Sequence, residues 1–405
     1  MTNPHTLSAR LHRGVSAFDA LQQSWQDAVD RADGPSLFMT PVFIRQSWDH
    51  FHKPGDEPWL VSVEDTRGRM VGLLPLVLRT EVRRLVRIRT LMHMGLWAGD
   101  RPGVLHTRDT SAGQIWCVAL SALLERRAAW HHLDLREVEE VVLPDLQAQL
   151  QQEARLSVSI RPDTYAGLLP TTGTWEHYFD SRSRHTRQAY RRSHRLLTEA
   201  CPGLRVETID QPADMPAAFE RYLAIEQLGW KHSARVGLWA DDRQVAFHRA
   251  LLPWLARTGQ ASIWFLCDGE HDIAGLVRLR QGTVTYERFK AFDPAHARSS
   301  PGTWLCAQAL QQSFESRCTL SDVLGMHTPL AERQAVNAWY DRELRTVRLV
   351  VTRAGTGQHL LRRTRQALRA VRRLHPQHWR HGAQTDRTEA ASPDQAVALA
   401  LRRMA

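Results

Sequence analysis

The sequence predicts an α/β (α+β) fold built from two halves, each with a mixed central sheet flanked by helices. Three observations lead to this prediction. The chain has 405 residues, 43% of them hydrophobic, which is enough for two cores of ordinary size. Segments of strand character are interleaved with segments of helical spacing. The first half has the element order helix, hairpin, helix, strand. The second half repeats this order with additional elements.

The first half is predicted from apolar spacing and one clear turn. Residues 1–35 are interpreted as an N-terminal extension with an amphipathic helix at 18–28, and residues 36–165 as the first folded half. Two apolar runs flank Asp-Thr-Arg-Gly at 65–68, which is typical of a β-hairpin. The predicted elements are a helix through 44 and 48, strands at 59–63 and 70–78, a helix at 115–126, a strand at 130–135 and a helix at 144–154.

The second half, residues 166–355, shows the same order with more elements. Its predicted helices lie at 215–230, 241–258, 303–314 and through 339, and its strands at 262–267, 273–280, 283–289, 319–324 and 345–352. Residues 356–382 are predicted to form a basic amphipathic helix, because apolar residues recur there on one helical stripe among arginines. Residues 383–405 are polar, and we expect a disordered tail.

The net charge of +10 is concentrated in two arginine clusters. Six arginines and no acid occur in residues 181–195, and seven arginines and no acid in residues 362–380. Arg187 and Arg191 belong to a stripe at helical spacing that could guide an anionic acceptor or a lipid headgroup, or could be a solvated face. Residues 360–374 could contact an anionic membrane or pack on the fold. No specific nucleic acid partner is expected, since aromatic residues are not interleaved with the arginines.

Compartment and metal content are predicted from what the chain lacks. Its longest apolar run is too short to cross a bilayer, and the first thirty residues contain charges where a secretory signal would be apolar. We therefore expect a cytoplasmic protein, with a peripheral position at the inner face of the membrane as the alternative. The five cysteines form no CxxC pair, so neither a disulfide framework nor a zinc site is expected.

The most informative stretch is residues 286–302, where a strand ends in an Asp-Pro turn and a helix follows. Ser300 is the predicted N-cap, and Pro301 occupies the first helical position, where its missing N–H costs nothing. The free N–H groups of such a helix start, with Arg298 beside them, favour an anion such as a pyrophosphate. The alternative is an ordinary capped helix.

Residues 167–352 resemble the GNAT-type acyltransferase family first associated with cellulose biosynthesis, which is similar to the FemAB-type aminoacyl transferases. The resemblance is carried by the arginine-rich helix with Arg187 and Arg191, by Glu226 with Trp230 and Lys231, by His248, by residues 286–293 and 298–302, and by Asp322. In such folds the fourth strand and the next helix start hold the thioester and pyrophosphate of CoA. The resemblance thus implies cofactor contacts from Phe289, Arg298, Ser299, Ser300 and Gly302, and substrate contacts from Trp230, Lys231, Arg187, Arg191 and Asp322.

Acyl transfer from a thioester needs a base for the attacking amine and donors for the developing oxyanion. Glu287 and Glu226 are the predicted bases, His248 is an alternative near neutral pH, and Lys290 lies beside the expected thioester. The predicted activity is transfer from acyl-CoA, or an acyl carrier thioester, to an amine or hydroxyl by general-base-assisted attack. The alternatives are a FemAB-type transferase using charged tRNA, a lipid-amine N-acyltransferase at the membrane surface, and a nucleic-acid-binding protein without enzymatic activity.

Overall fold

The computed structural model describes residues 7–32, 37–83, 86–96, 99, 101–153, 155–229, 237–325, 329–332 and 338–353. The predicted helix at 356–382 and tail at 383–405 lie outside the described residues, as do Trp230 and Lys231. Among the described helices, none is both long and apolar enough to cross a membrane.

The strands of both halves belong to one mixed sheet. Their order across the sheet is β1-β2-β3-β4-β6-β13-β7-β12-β11-β10-β9-β8, and β5 pairs with β3. Their bounds are β1 Ser8–Arg13, β2 Glu57–Glu64, β3 Met70–Arg83, β4 Val86–His93, β5 Leu105–His106, β6 His132–Glu139, β7 Leu156–Pro170, β8 Leu204–Ile209, β9 Ala261–Asp268, β10 His271–Gln281, β11 Val284–Phe292, β12 Leu320–Asp322 and β13 Arg342–Arg353.

Helices cover both faces of this sheet. Their bounds are α1 Ser16–Asp30, α2 Pro41–Phe51, α3 Ala112–Glu125, α4 Leu143–Gln151, α5 Trp175–Ser181, α6 Arg184–Ala200, α7 Met215–Leu228, α8 Asp242–Arg257 and α9 Pro301–Glu315. A mixed sheet with helices on both faces confirms the predicted fold class.

The two halves are joined through β13, which lies between β6 and β7. It pairs antiparallel with both neighbours, over residues 346–352 with β6 and along its whole length with β7. The predicted boundary at 165/166 falls inside β7, so the division into halves stays a prediction. The backbone hydrogen bonds of β13 tie the last described strand to the middle of the sheet.

Residues 8–30, predicted as part of an extension, contribute to the sheet and to a core. β1 pairs antiparallel with β2. α1 places the fully buried Trp25 against the sheet, and its indole N–H donates to the Met39 carbonyl oxygen at 2.8 Å. An indole donor that is buried in this way needs a partner, which the turn before α2 provides.

In the second half, the two sheet faces separate two groups of helices. On β9, Ile263 and Phe265 pack with α7 and α8, whereas Trp264 and Leu266 pack with α6 and α9. This alternation is the period of two that a strand buried on both faces requires. The start of α9 therefore lies on the opposite face from α7 and α8, and this determines which predicted site residues can meet.

Candidate functional site

The site is centred on β11, which extends beyond its parallel neighbour. β12 pairs with β11 only over Val284–Tyr286, and β11 continues for six more residues to Phe292. On its other side, β11 pairs with β10 and has a register shift at which Arg288 is the additional residue. A bulge of this kind bends the strand and redirects side chains. Glu287 is the residue between the end of the β12 pairing and the bulge.

Glu287 is buried, with only 6% of its surface exposed. Its Oε1 has no hydrogen bond of normal geometry among the described residues, and the same is true of the hydroxyl groups of Tyr340 and Ser321. The carboxylate acts on its neighbours electrostatically. Burial and then the charge of Glu287 raise the pKa of Tyr340 well above its usual range, and they raise the pKa of Cys306 to about 12.

These shifts show that Glu287, Tyr340 and Cys306 lie close together in a water-poor region. An unsatisfied buried carboxylate oxygen is costly and is usual only where function requires it. A buried carboxylate beside a hydroxyl and a thiol is a candidate for the general base of a reaction. Arg278 lies on β10 opposite Glu287, and burial lowers its pKa while the Glu287 charge opposes this shift.

The start of α9 differs from its predicted capping. Ser300 has a left-handed backbone (φ 51°, ψ 51°), and its side chain makes no capping hydrogen bond. The predicted N-cap bond is thus wrong, because a capping side chain needs an extended backbone at that position. Pro301 has no N–H, and Trp304 N–H donates to the Ser300 carbonyl at 3.1 Å. The first donors at this helix start are therefore the N–H groups of Gly302 and Thr303.

A cleft of about 870 Å³ opens at this helix start. This volume is typical of sites for small molecules and cofactors. Its wall on α9 is formed by Ser300, Thr303 and Trp304, and its other walls come from α6 and from residues 338 and 339. Trp339 lines the cleft, and the next residue, Tyr340, is a neighbour of Glu287. Through this adjacent pair, the wall of the cleft is continuous along the chain with a neighbour of the carboxylate.

α6 is held against the loop before α9 by a buried hydrogen bond. Ser193 Oγ donates to the carbonyl oxygen of Ser299, which is itself buried. Arg298 and Ser300 are exposed on either side of Ser299, while Gly302 is buried, and a Cβ at Gly302 would lie 3.4 Å from Phe292. Of the five predicted cofactor contacts, these four are close in the chain around the start of α9, where Ser300 lines the cleft.

Phe289 and His248 lie on the other face of the sheet. Their rings meet edge to face with centroids 4.9 Å apart, and His248 Nδ1 hydrogen-bonds the Gln244 carbonyl at 2.7 Å. Burial, followed by the charge of Arg288, lowers the pKa of His248 to about 3. A neutral, buried imidazole with this pKa is a weak base at neutral pH.

Glu226 is also separated from the start of α9. It lies on α7, is buried, and its Oε2 accepts a hydrogen bond from the backbone N–H of Leu238 at 3.0 Å. Glu226 therefore lies on a helix that packs against one face of the sheet, whereas Glu287 lies on a strand of the sheet and acts on Cys306 of α9 on the other face.

The remaining predicted site residues have separate environments. Asp322 is fully buried and forms an ion pair with Arg101 at 2.5 Å. Lys290 is exposed on β11, and its charge acts on Cys306. On α6, Arg187 donates to Asp180 at 3.3 Å, and Arg191 lies 5.9 Å above the Phe179 ring. Neither arginine lines the cleft, whose α6 wall is formed by His185, Thr186, Ala189, Tyr190 and Ser193.

Several site residues were not predicted. Tyr340, Trp304 and Trp339 belong to aromatic clusters. Tyr190 stacks with Trp304 at 6.5 Å, and its hydroxyl accepts a hydrogen bond from Gln308 Nε2 at 2.6 Å. The sequence contains one signal for them, the adjacent pair Trp-Tyr at 339–340. Only the insertion of β13 beside β7 brings this pair to Glu287.

Residues 184–330 match the family described as the acetyltransferase (GNAT) domain. No curated protein matches the chain. Among solved structures, the chain is similar to the crystal structure of FemX, with a TM-score of 0.60 and 10% identity, covering 84% of this chain and 98% of FemX. It is also similar to a conserved protein of unknown function from Bacteroides thetaiotaomicron, with a TM-score of 0.52 and 10% identity, covering 82% and 97%.

At this identity the two structures show a fold shared with this chain. The narrower resemblance to the cellulose-associated acyltransferases stays a prediction. The matched segment runs from the first residue of α6 to residue 330 and includes β11, Glu287 and the start of α9. The resemblance to GNAT-type proteins is thereby confirmed over residues 184–330, which match the GNAT-type acetyltransferase domain.

Proposed function

We propose that this protein transfers an acyl group from acyl-CoA, or a related acyl thioester, to an amine, with Glu287 as the general base. One observation carries the proposal: a buried carboxylate with an unsatisfied oxygen stands where β11 continues beyond β12, beside Tyr340, whose chain neighbour Trp339 lines a cleft that begins at a helix start. The GNAT-type domain matched at residues 184–330 supports a transferase.

The donor would lie along the cleft with its phosphates at the start of α9. The N–H groups of Gly302 and Thr303 point along the helix axis, and the positive end of the helix dipole favours an anion there. The exposed Arg298 adds charge at the same end. The pantetheine arm would then follow β11 beyond Tyr286, where β12 no longer pairs with it.

The reaction would place the acceptor amine between Glu287 and the thioester carbonyl, within hydrogen-bond reach of the carboxylate. As the amine nitrogen attacks the carbonyl carbon, a C–N bond forms, the C–S bond breaks, and the amine proton passes to the Glu287 carboxylate. The proton then leaves with solvent or with the released thiol. Tyr340 keeps its proton because its pKa is raised, so its hydroxyl can donate a hydrogen bond to the developing negative charge.

The experiment is a thiol-release assay with acyl-CoAs of different chain length and a panel of amines. Glu287→Gln keeps the shape of the side chain and removes its basicity, so we expect turnover to fall by about 10²- to 10⁴-fold while CoA binding is retained. Glu199→Gln, an exposed acid on α6, is the matched control. Turnover of Glu287→Gln equal to that of the control would contradict the proposal.

Arg298→Ala tests the other end of the cleft. The guanidinium is exposed beside the expected phosphates, so its loss should weaken CoA binding and leave the turnover of bound donor unchanged. We expect KM for acyl-CoA to rise without a change in kcat. Equal KM values for the variant and the wild type would remove Arg298 from the donor site.

A charged tRNA is the second candidate donor. It is favoured by the similarity of this chain to FemX over 84% of its length and by the six arginines of residues 181–195. The chemistry at Glu287 would be the same, with an ester C–O bond broken in place of the C–S bond. Transfer of a labelled amino acid from aminoacyl-tRNA, with no thiol released from acyl-CoA, would favour this donor over CoA.

A further inference from the structure

Three side chains of metal-ligating type converge beside the loop that leads into α9. They are His271, Asp293 and His296, and one ligand atom of each lies within 4.8 Å of the others. His271 Nε2 is 3.2 Å from Asp293 Oδ2. None of the three side chains lines the cleft at the start of α9.

The backbone fixes two of the three positions. His271 is the first residue of β10, directly after the turn at Gly269 (φ 59°). Asp293 follows the last residue of β11, and its N–H donates to the Ile273 carbonyl at 2.8 Å. The antiparallel pairing of β10 and β11 therefore brings these two side chains to the same edge of the sheet.

The third side chain, His296, is positioned by the short helix that follows Asp293. Residues 294–299 form a 3-10 helix capped by Asp293, whose Oδ1 accepts the Ala295 N–H at 2.9 Å. Because one turn of this helix contains three residues, His296 lies above Asp293 on the same side. The capping bond occupies Oδ1 and leaves Oδ2 directed toward His271.

The orientation of His296 is set from the core side. Its Nδ1 lies 3.9 Å from the Sγ of Cys201, which is 1% exposed. A ligating histidine usually has its second ring nitrogen engaged by such a partner, which fixes the ring and leaves the other nitrogen for the metal. Two neutral imidazoles and one carboxylate are a ligand set that suits zinc and other divalent transition metals.

We propose that His271, Asp293 and His296 bind a divalent transition metal ion, with zinc as the best fit. At Zn–N and Zn–O bonds of about 2.0 to 2.2 Å, neighbouring ligand atoms of a tetrahedral site are about 3.4 Å apart, close to the 3.2 Å between His271 and Asp293. The exposed His271 side chain can rotate to close the remaining separation. A fourth position is left for water.

From the sequence, no zinc site is expected, because the five cysteines form no CxxC pair. In the folded chain, the β9–β10 turn brings His271 next to Asp293 and His296, which respectively cap and belong to the 3-10 helix at 294–299. A bound ion would link the β9–β10 turn, through His271, to the segment that contains Arg298 and Ser300, through His296. The proposal does not depend on the proposed transferase activity and would stand or fall separately.

The test uses the untagged full chain, freed of metal with EDTA and titrated with Zn²⁺ by calorimetry and with Co²⁺ by absorption spectroscopy. We expect the wild type to bind one more equivalent than His271→Ala and Asp293→Asn, to show tetrahedral Co²⁺ bands, and to gain in Tm with Zn²⁺. Asparagine keeps the cap acceptor, and His271 is exposed, so both variants should fold.

His177→Ala, which changes an exposed histidine on α5, is the matched control and should bind as the wild type does. Two results would overturn the proposal. Either the wild type takes up no ion, or both cluster variants bind Zn²⁺ with the affinity and stoichiometry of the wild type.

Discussion

Replacing Arg101 by methionine should loosen the connection between the two halves of the sheet. Arg101 lies in the segment between β4 and β5, and its Nη2 is 2.5 Å from Oδ2 of Asp322 on β12. The arginine side chain is 18% exposed and the aspartate side chain is fully buried. Methionine keeps the bulk of the side chain and removes its charge, which isolates the electrostatic contribution of the pair.

The expected cost follows from the burial of Asp322. Removing one partner of a buried ion pair leaves an uncompensated charge and typically costs about 3 to 5 kcal/mol. Here the Leu324 N–H still donates to Asp322 Oδ1 at 2.7 Å, which offsets part of the loss. We therefore expect a decrease near the lower value, about 3 kcal/mol, in the free energy of unfolding.

The assay is urea unfolding followed by circular dichroism and tryptophan fluorescence. The double variant Arg101→Met with Asp322→Asn should lose less stability than the sum of the single variants, because the uncompensated charge is then absent. Arg127→Met is the control, since its ion pair with Glu153 is exposed and should contribute less than about 1 kcal/mol. A loss from Arg101→Met no larger than the control, or strict additivity in the double variant, would refute this reasoning.

Three further predictions concern pH, packing and the cleft. Burial lowers the pKa of His248 from 6.5 to about 3, so below pH 6.5 this histidine becomes protonated in the unfolded chain before it does in the folded protein. The free energy of unfolding should therefore fall by up to about 1.4 kcal/mol per pH unit, and His248→Leu should show a shallower decline in urea unfolding. Gly72→Ala should cost about 1 to 3 kcal/mol by the same assay, because its Cβ would lie 2.6 Å from Ile115. Ser193→Ala removes the bond to the Ser299 carbonyl, so it should cost about 0.5 to 1.5 kcal/mol and weaken CoA binding measured by calorimetry.

Local features of the fold could be predicted because local sequence determines them. The turn at 65–68 separates β2 and β3, and Asp65 accepts hydrogen bonds from the N–H groups of Arg67 and Arg69. The helical spacing at 115–126 and 303–314 gives α3 and α9, whose apolar residues are buried. Strong periodicity is sufficient where one face of an element enters a core.

Other elements could not be predicted because their pattern is weak or their partners are distant. β8 is an edge strand with no fully buried residue, so its alternation is faint. The apolar run of β13 indicates a strand at 345–352, but nothing local places it between β6 and β7. Long-range pairing depends on the whole sheet and is not encoded in one segment.

In the candidate site, too, the features set by local sequence could be predicted and those set by distant segments could not. The Asp-Pro turn and the helix after it point to the start of α9, and Glu287 was predicted from its place on the preceding strand. The left-handed Ser300 and the partnership of Asp322 with Arg101 depend on packing between distant segments. The neighbours of Glu287 are missed for the same reason, since Tyr340 reaches it only through the position of β13.

A crystal structure of the chain with CoA bound would test the central claim most directly. We predict a pyrophosphate about 3 Å from the N–H groups of Gly302 and Thr303, with the thiol end beside β11 near Glu287. CoA bound elsewhere would contradict it, for example in the cavity of about 300 Å³ lined by Arg101, Glu137 and Tyr286.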